Sequence, residues 1–368
     1  MDTIRIGMIG CGQIARAHMK NYAGIRGARL TAVCDIQRAA AESAARDHEL
    51  PSSAIHTDFR ELLRRDDIDA VDVCLHNNYH APVTIEALRA GKHVYCEKPM
   101  AGSYADAHAM LKARDETGHK LSIQLALLFT NETRAAKTLI RDGHLGRLYH
   151  ARSTGHRRRG RPFVDGYGTP TFVQKRHAAG GALYDMGVYH ISQLLYLLDN
   201  PAVERITGKT YQEIDMDPKR RADSGYDVEE LGLGFVRFAG NLSMDIIEAW
   251  AVHLDRFDGS VVLGSKGGVR LEPFGFFHNL GDLSLSASAD LSQAAFRWAN
   301  VHGTAELYAS PQHHWINALL GKVELLPTAE IALTTMLISE GIYLSEQLGR
   351  EVTAEEVRAM SKSTAVSV

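Results

Sequence analysis

Four side chains in the sequence are of the types that can move a proton and stabilise a negatively charged oxygen. Lys98 directly follows an apolar run and a glutamate. Three more lie within a few residues of one another later in the chain: Asp185, Tyr189 and His190. Oxidising a secondary alcohol needs a base for the hydroxyl proton, a cation or donor for the developing alkoxide, and a hydride acceptor held close. The pattern therefore predicts hydride chemistry at a hydroxyl or ketone.

A glycine-rich turn near the N-terminus indicates where the hydride acceptor binds. Gly10 and Gly12 follow an apolar run, open a predicted helix and, with Ala15, match a dinucleotide-binding pattern. The helix N-terminus would offer amides to a pyrophosphate, and Asp35 would bind an adenosine ribose. Asp35 repels a 2′-phosphate, which favours NAD over NADP, although Arg38 nearby could accommodate NADP. The alternative is a structural turn with a solvated aspartate.

Further side chains lie where predicted parallel strands end, at the edge of the sheet where ligands bind. The segment that begins at His76 is the main example, and loop or helix-cap roles are the alternative for each of its residues. The complete predicted set of cofactor contacts is Gly10, Gly12, Gln13, Ile14, Asp35, Arg38, His76, Asn77, Asn78, His80, Glu97, Lys98 and Gln124.

The elements that must position these side chains follow from the hydrophobic pattern. The first part of the chain alternates apolar runs with amphipathic stretches, which predicts an α/β Rossmann domain over residues 1–124. Beyond it the runs are less apolar and often alternate. They predict a second α/β domain over residues 125–368 with a large open, mostly antiparallel sheet. Its last strand is expected at Gly303–Tyr308, and the C-terminal helices could pack back on the first domain.

The proton-handling residues also have plain structural interpretations. A glutamate-lysine-proline run is usually an exposed loop, Asp185 could cap a helix, and His190 could be a core residue. Asp185 and Tyr189 are four residues apart and would share a helical face, with His190 rotated by about 100°. The combination with Lys98 favours function. Burial beside a positively charged cofactor ring would lower the pKa of Lys98.

Two basic stretches, residues 156–162 and 174–177, precede Asp185 and could border a substrate. The guanidinium group of arginine binds carboxylates, phosphates or several sugar hydroxyls. The alternative interpretation of both stretches is a solvated surface loop. The predicted substrate contacts are Lys98, Arg158, Arg176, His177, Asp185 and His190.

Composition restricts the class of protein. The net charge of −3 gives no field that favours nucleic acid or an anionic membrane, and no apolar stretch approaches about 20 residues. The N-terminus lacks a signal-peptide pattern. The four cysteines show no CxxC spacing, which predicts free buried thiols and a reducing cytoplasm. No metal site is expected, because the histidines form no ligand pair on a predicted helix.

The chain resembles the Gfo/Idh/MocA family of oxidoreductases over nearly its full length. The residues that carry the resemblance are those above, with Gly180–His190 and the C-terminal segment 345–352. It implies that Lys98 and Asp185 are catalytic and that the open sheet makes a homodimer or homotetramer. Many members place a histidine base four residues after the aspartate. Here Tyr189 has that position and His190 follows, so the base assignment stays open between them.

These observations lead to the hypothesis of an NAD-dependent dehydrogenase for a sugar, glycoside or cyclitol. Similar arginine-rich loops in sugar-oxidising branches of the family favour a pyranose or glycoside. One alternative is a glycosidase that uses tightly bound NAD for transient oxidation, elimination and re-reduction. Another is a non-catalytic NAD-sensing protein, which the presence of both Lys98 and Asp185 disfavours.

Overall fold

The first part of the chain forms a six-stranded parallel sheet in the computed structural model, which describes residues 2–368. Its strands are β1 (Ile4–Ile9), β2 (Ala28–Cys34), β3 (Ile55–His56), β4 (Ala70–Val73), β5 (His93–Cys96) and β6 (Leu121–Ile123). Their order across the sheet is β3-β2-β1-β4-β5-β6. The direction of winding reverses between β1 and β4, so a ligand crevice is expected at the carboxyl ends of these two strands.

Helices connect the strands of this Rossmann sheet. They are α1 (Gln13–Ala23), α2 (Arg38–Asp47), α3 (Phe59–Leu63), α4 (Asn77–Arg89) and α5 (Tyr104–Thr117). Helix α1 begins immediately after the glycine-rich turn, and α4 begins immediately after the loop that follows β4. Both helices therefore start at the crevice and direct their N-terminal amides towards it.

The second sheet has nine strands and is mixed but mostly antiparallel. Its strands are β7 (Leu148–His156), β8 (Val203–Tyr211), β9 (Leu231–Phe238), β10 (Leu242–Ala249), β11 (Val261–Gly264), β12 (Gly267–Arg270), β13 (Gly275–Leu280), β14 (Leu283–Ala287) and β15 (Val352–Thr353). Strands β7 and β10 run parallel, so their carboxyl ends lie at the same edge of the sheet. The predicted fold class is confirmed.

The remaining helices cover this sheet and join the two parts of the molecule. They are α6 (Asn131–Arg141), α7 (Lys175–Ala178), α8 (Val188–Leu197), α9 (Pro218–Ser224), α10 (Leu291–Asn300), α11 (Pro311–Leu319), α12 (Thr328–Leu348) and α13 (Ala354–Met360). Helix α12 packs against β8 of the second sheet and against α5 and β6 of the Rossmann domain. Trp315 and Ile316 of α11 are buried in the core around α1. The two domains therefore share continuous packing.

Three features of the second domain differ from what the sequence analysis indicates. Residues 303–308 form turns instead of a strand, because Gly303 has a positive φ of 65° and the Thr304 hydroxyl bonds to the carbonyl of Trp298. The strands β13 and β14, which were not predicted, pair through a two-residue turn in which Gly281 has a φ of 57°. Arg161 lies in a loop expected at the surface but is fully buried against Asp165 and Glu230.

Across residues 2–368, none of the helices has the length and apolar character needed to cross a membrane. The four cysteines are buried free thiols, as predicted.

Candidate active site

Lys98 reaches the junction of the two domains from the end of β5. Its Nζ lies 2.9 Å from Asp185 Oδ1 and 3.2 Å from the Asp185 carbonyl oxygen. Only 13% of the lysine side chain and 24% of the aspartate side chain are exposed. The two residues come from different domains, so their contact closes the crevice at its inner end. The structure brings the two predicted catalytic residues together.

A single π-helical turn, Leu183–Gly187, carries Asp185 directly before α8. Buried Glu229 holds this turn, since its carboxylate accepts hydrogen bonds from the amides of Gly181 and Leu183 at 2.9–3.0 Å. Such turns recur at functional sites because they widen the helix locally and re-aim a side chain. Here the turn directs the Asp185 carboxylate at Lys98.

Two further side chains contact the Asp185 carboxylate, and the sequence analysis identified neither. The Trp250 indole Nε1 donates a hydrogen bond to Oδ2 at 2.9 Å, and the Arg157 guanidinium lies 3.7 Å from the same oxygen. Arg157 follows β7 and Trp250 follows β10, the parallel pair of the second sheet. Arg157 lies in the basic stretch 156–162 that could border a substrate, but the position of both residues at strand ends becomes informative only after β7 and β10 are known to be neighbours.

The electrostatics of the pair favour an ammonium facing a carboxylate. Burial lowers the pKa of Lys98, but Asp185, Tyr189 and Glu97 outweigh it and raise that pKa above its ordinary value. The predicted lowering of the Lys98 pKa depends on a positively charged cofactor ring beside it and stays a prediction. Burial raises the pKa of Asp185, yet Lys98 and Arg157 bring it below its ordinary value. Lys98 is thus built to donate hydrogen bonds.

The structure places Tyr189 and His190 in different surroundings. Lys98 Nζ lies 4.6 Å from the centre of the Tyr189 ring, so this tyrosine faces the pair. Burial raises the pKa of Tyr189, and Lys98 opposes that rise. His190 instead bonds through Nδ1 to the fully buried Glu248 at 3.0 Å. Burial lowers the pKa of His190, but Glu248 outweighs it and raises that pKa overall.

The glycine-rich turn fits a dinucleotide. Gly10 has a φ of 91°, and an added Cβ there would lie 2.2 Å from the Cys74 carbonyl oxygen. An added Cβ at Gly12 meets no protein atom within 4 Å, so this face is open to a phosphate. The amides of Gln13 and Ile14 begin α1 beside it. Helix N-termini of this kind bind pyrophosphate groups.

The Asp35 carboxylate is oriented at the same turn, because it accepts hydrogen bonds from the amides of Cys11 at 2.9 Å and Gln37 at 2.8 Å. Arg38 is exposed and bonds to Glu42 at 2.8 Å. The position of Asp35 at the end of β2 fits the ribose contact predicted for it.

The polar segment after β4, residues 76–80, divides into two parts. His80 supports the turn that carries Lys98, whereas the first residues of the segment face the crevice. His80 is fully buried, and its ring nitrogens lie 2.7 Å from the Pro99 carbonyl oxygen and 3.0 Å from that of Leu75. In this arrangement His80 holds the turn that carries Lys98 and has no surface for a cofactor. Gln124, at the end of β6, accepts a hydrogen bond from the Tyr95 hydroxyl.

Asn77 and Asn78 connect the Rossmann domain to segment 172–178, which we call the strap. Asn77 Nδ2 donates to the Ala178 carbonyl and Asn78 Nδ2 to the Arg176 carbonyl, each at 2.7 Å. His76 lies 5.6 Å from Phe172, ring to ring. The strap then lines a small cavity with Lys98 and Asp185; its wall includes Asn77, Lys98, Phe172, Ala178, Asp185 and Trp250.

The C-terminal residues hold the buried Asn78 from its other side. The Thr364 hydroxyl donates to Asn78 Oδ1 at 3.1 Å, and the Val366 amide donates to the Asn78 carbonyl at 3.2 Å. Asn78 therefore joins three separate segments of the chain.

The substrate contacts predicted in the two basic stretches do not converge on one point as Lys98 and Asp185 do. Arg158 and Arg176 are exposed, and Arg176 bonds to the side chain of Gln174. His177 is half-buried in the strap. Among these stretches, the structure brings Arg157 to the Asp185 carboxylate, whereas Arg158 was the residue predicted.

Comparison with known proteins identifies the family. A sequence model for an oxidoreductase family with an NAD-binding Rossmann fold matches residues 4–125, and one for the GFO/IDH/MocA C-terminal domain matches residues 133–270. The chain belongs to the Gfo/Idh/MocA family. The resemblance predicted from the sequence is confirmed, as is an NAD-binding Rossmann domain.

A curated relative and a solved structure each match most of the chain. A D-glucoside 3-dehydrogenase of Escherichia coli (strain K12) is 26% identical over 363 residues, which cover 95% of this chain and 97% of that protein. An oxidoreductase domain protein from Kribbella flavida superposes with a TM-score of 0.79 at 20% identity, covering 96% of this chain and 100% of the other.

A glycosyl hydrolase family 109 protein of Shewanella baltica (strain OS155 / ATCC BAA-1091) is similar over a shorter region. It is 30% identical over 158 residues, which cover 41% of this chain and 34% of that protein. The chain is thus similar both to a protein named as a glucoside dehydrogenase and to one named as a glycosyl hydrolase.

Proposed function

We propose that this protein is an NAD-dependent dehydrogenase that oxidises a secondary hydroxyl of a sugar, glycoside or cyclitol. The observation that carries the proposal is the 2.9 Å contact between Lys98 and Asp185, which come from different domains and meet at the carboxyl edge of the Rossmann sheet. The full-length match to a D-glucoside 3-dehydrogenase favours a glycoside among these substrates.

The proposed roles follow from charge and position. Bound NAD supplies the hydride acceptor, and the turn at Gly12 with Asp35 would hold it. The Lys98 ammonium donates a hydrogen bond to the reacting hydroxyl oxygen and stabilises the negative charge that develops there. Asp185 keeps the ammonium in place and accepts a hydrogen bond from a neighbouring hydroxyl. Trp250 and Arg157 fix the carboxylate.

Tyr189 is the proposed base, and His190 is the second candidate. The centre of the Tyr189 ring lies 4.6 Å from Lys98 Nζ, so this tyrosine is beside the pair. We propose that its hydroxyl takes the proton of a substrate hydroxyl bound there. His190 is bonded to Glu248, away from that contact, and we assign it to the wall of the substrate site.

NAD is the proposed cofactor in preference to NADP. The Asp35 carboxylate faces the end of the glycine-rich turn, where it repels a 2′-phosphate, and Arg38 is paired with Glu42. We expect a kcat/KM for NAD at least about tenfold above that for NADP, since one charge repulsion of about 1.4 kcal/mol gives that ratio.

We also propose self-association through the nine-stranded sheet and a cytoplasmic location. Exposed apolar side chains project from β13 and β14 of that sheet, and they include Leu280 and Leu283, which are 64% and 62% exposed. Light scattering after gel filtration would show a dimer or tetramer, and a monomer would contradict the proposal.

The deciding experiment is a screen of NAD reduction over glucosides, free sugars, sugar acids and inositols, with the position of oxidation determined by NMR. We expect NADH formation with at least one glycoside or cyclitol. Binding of NAD without turnover on the whole panel would contradict a dehydrogenase and favour an NAD-sensing protein.

The second candidate is a glycosidase that keeps NAD bound through a cycle of oxidation and re-reduction. The similarity to a family 109 glycosyl hydrolase favours it, although that match covers about a third of the relative. Glycoside cleavage without net NADH, by a protein that retains NAD through gel filtration, would establish this activity in place of the dehydrogenase.

A further inference from the structure

A buried ionic cluster lies behind Lys98 and has no role in the chemistry above. His18 of α1 is 2% exposed and stands between two carboxylates that are also buried. Its Nδ1 lies 2.9 Å from Asp72 Oδ2, and its Nε2 lies 2.9 Å from Glu97 Oε1. Asp72 is on β4, and Glu97 is the residue before Lys98. The ring therefore bridges α1, β4 and the end of β5.

Three hydrogen bonds to the carboxylates, a thiol contact at 3.5 Å between Cys74 Sγ and His18 Nδ1, and one aromatic ring surround this pair of contacts. The Tyr22 hydroxyl donates to Asp72 Oδ2 at 2.8 Å, and the Cys74 thiol donates to Asp72 Oδ1 at 3.3 Å. On the other side, Glu97 Oε2 accepts the Lys98 amide at 3.0 Å. The Tyr95 ring packs 5.9 Å from the imidazole, centre to centre. The backbone of Lys98 is thus linked to His18 through one carboxylate.

The two carboxylates beside the ring favour a charged imidazole. A neutral ring has one N–H, so it could serve one carboxylate and would turn a lone pair towards the other. An imidazolium hydrogen-bonds to Asp72 through Nδ1 and forms an ion pair with Glu97 through Nε2, which lies close but outside hydrogen-bond alignment. It thereby compensates buried negative charge that would otherwise be costly. Burial lowers the pKa of His18, but Asp72 and Glu97 outweigh it and raise that pKa to about 10.

We propose that His18 is a positioning residue, an imidazolium that ties α1 to Glu97 and thereby fixes the backbone from which Lys98 reaches Asp185. Helix α1 begins at the glycine-rich turn, so one ring connects the phosphate-binding end of the cofactor site with the lysine at its reactive end. The inference rests on the proposed function, because it assigns His18 to the alignment of Lys98 with the cofactor.

Replacing the ring without removing its polarity tests this link. In His18→Gln we expect kcat to fall by about 10- to 100-fold, the scale that a misplaced catalytic group costs, while the Kd for NAD changes less than about threefold. His314→Gln is the matched control, since His314 is also buried and bonds to backbone atoms of Leu307 and Leu326. A folded His18→Gln protein with unchanged kcat would overturn the proposal.

Asp72→Asn separates positioning from general damage to the core. It removes one charge but leaves the His18–Glu97 contact, so we expect kcat to stay within about threefold of the wild type. A loss equal to that of His18→Gln would show that any disturbance of this cluster lowers activity, and the specific link would be refuted.

A measurement on the unmodified protein with NAD bound covers the case in which His18→Gln does not fold. Nitrogen NMR of histidine-labelled protein should show both ring nitrogens of His18 protonated at about pH 8, where an ordinary histidine with a pKa of roughly 6.5 is neutral. A neutral ring, or a stoichiometric metal ion found by elemental analysis, would overturn the proposal. This readout needs no substrate, so it stands apart from a failure of the dehydrogenase assignment.

Discussion

Lys98 and Asp185 face each other across the domain junction, but the protein holds them in different ways. Lys98 extends from a strand end that is fixed by side chains inside the Rossmann core, with Glu97 paired with His18 and the Pro99 carbonyl bonded to His80. Asp185 sits on a π-helical turn and is held by hydrogen bonds that belong to the second domain.

The different supports of Lys98 and Asp185 assign two tasks to the two domains, namely alignment with the cofactor and selection of the substrate. The lysine side is built into the same core as the cofactor turn, so its position relative to the redox ring is set by the first domain. The aspartate side depends on Trp250 and Arg157, which follow β10 and β7, and Trp250 lines the cavity together with the strap. We infer that changes in the second domain alter substrate selection, whereas changes behind Lys98 alter the chemical step.

Removing the pair itself should have the largest effect. Lys98→Ala and Asp185→Ala should each lower turnover at least about 10²-fold with NAD binding retained, the usual scale for a group that handles a proton. The double variant should be little worse than either single one, because the two side chains act as a unit.

The control for charge loss is Lys112→Ala, which removes a lysine exposed on α5 and should leave turnover unchanged. Steady-state assays would measure turnover, and titration with NAD followed by fluorescence would measure NAD binding. Fully additive losses in the double variant would mean that the two residues act independently.

The assignment of the base predicts a distinctive pH profile. Because burial raises the pKa of Tyr189, its deprotonated form increases only in alkaline solution, and the rate of alcohol oxidation should keep rising towards about pH 10. Tyr189→Phe should lower kcat by about 10- to 100-fold and remove that rise.

Tyr184→Phe is the matched control, since Tyr184 is buried against Tyr343 and should keep the alkaline rise. The profile would be measured as kcat against pH at saturating NAD. A rise that levels off not far above neutral pH, and is abolished in His190→Asn, would assign the base to His190 instead.

Weakening the contacts that hold Asp185 should lower activity less than removing Lys98 or Asp185 does. Trp250→Phe removes the indole donor to Asp185, and a hydrogen bond to a charged group contributes about 1.5–3 kcal/mol, so kcat/KM should fall by about 10- to 100-fold. Trp315→Phe alters a tryptophan buried equally well around α1 and serves as the comparison in the same assay. Equal effects of the two substitutions would argue against a specific role for the indole.

Freeing the strap should have the smallest effect. Asn78→Ala removes the donor to the Arg176 carbonyl, and we expect the substrate KM to rise about three- to tenfold while kcat stays close to the wild-type value. Asn300→Ala on the exposed α10 is the control. A fall in kcat without a change in KM would place Asn78 on the chemical side of the comparison.

The sequence predicts the Rossmann half in detail because its signals are local. Apolar runs that alternate with amphipathic stretches predict the parallel sheet, and the six parallel strands are observed within residues 1–124. The long edge of the second sheet was harder to predict. Its hairpin β13–β14 has one strongly apolar strand and one alternating with serine, and a glycine-threonine segment beyond it resembles a strand until its side-chain hydrogen bonds are seen.

The same distinction between local and long-range signals explains which residues of the candidate site could be predicted. Lys98 and Asp185 were predicted, because each stands beside a recognisable pattern, and the structure brings them into contact. Trp250 and Arg157 were missed, since their approach to Asp185 depends on the parallel pairing of β7 with β10, which are far apart in the chain. His18 is missed for a similar reason: its partners Asp72 and Glu97 become visible only in three dimensions.

The bonds from Thr364 and Val366 to Asn78 have a consequence for how the protein is made. A ribosome adds Thr364 286 residues after Asn78, when the Rossmann strands have long since emerged. The edge of the crevice beside Lys98 is therefore completed only after residues 364–366 have left the ribosome, and nascent chains that lack them remain without it.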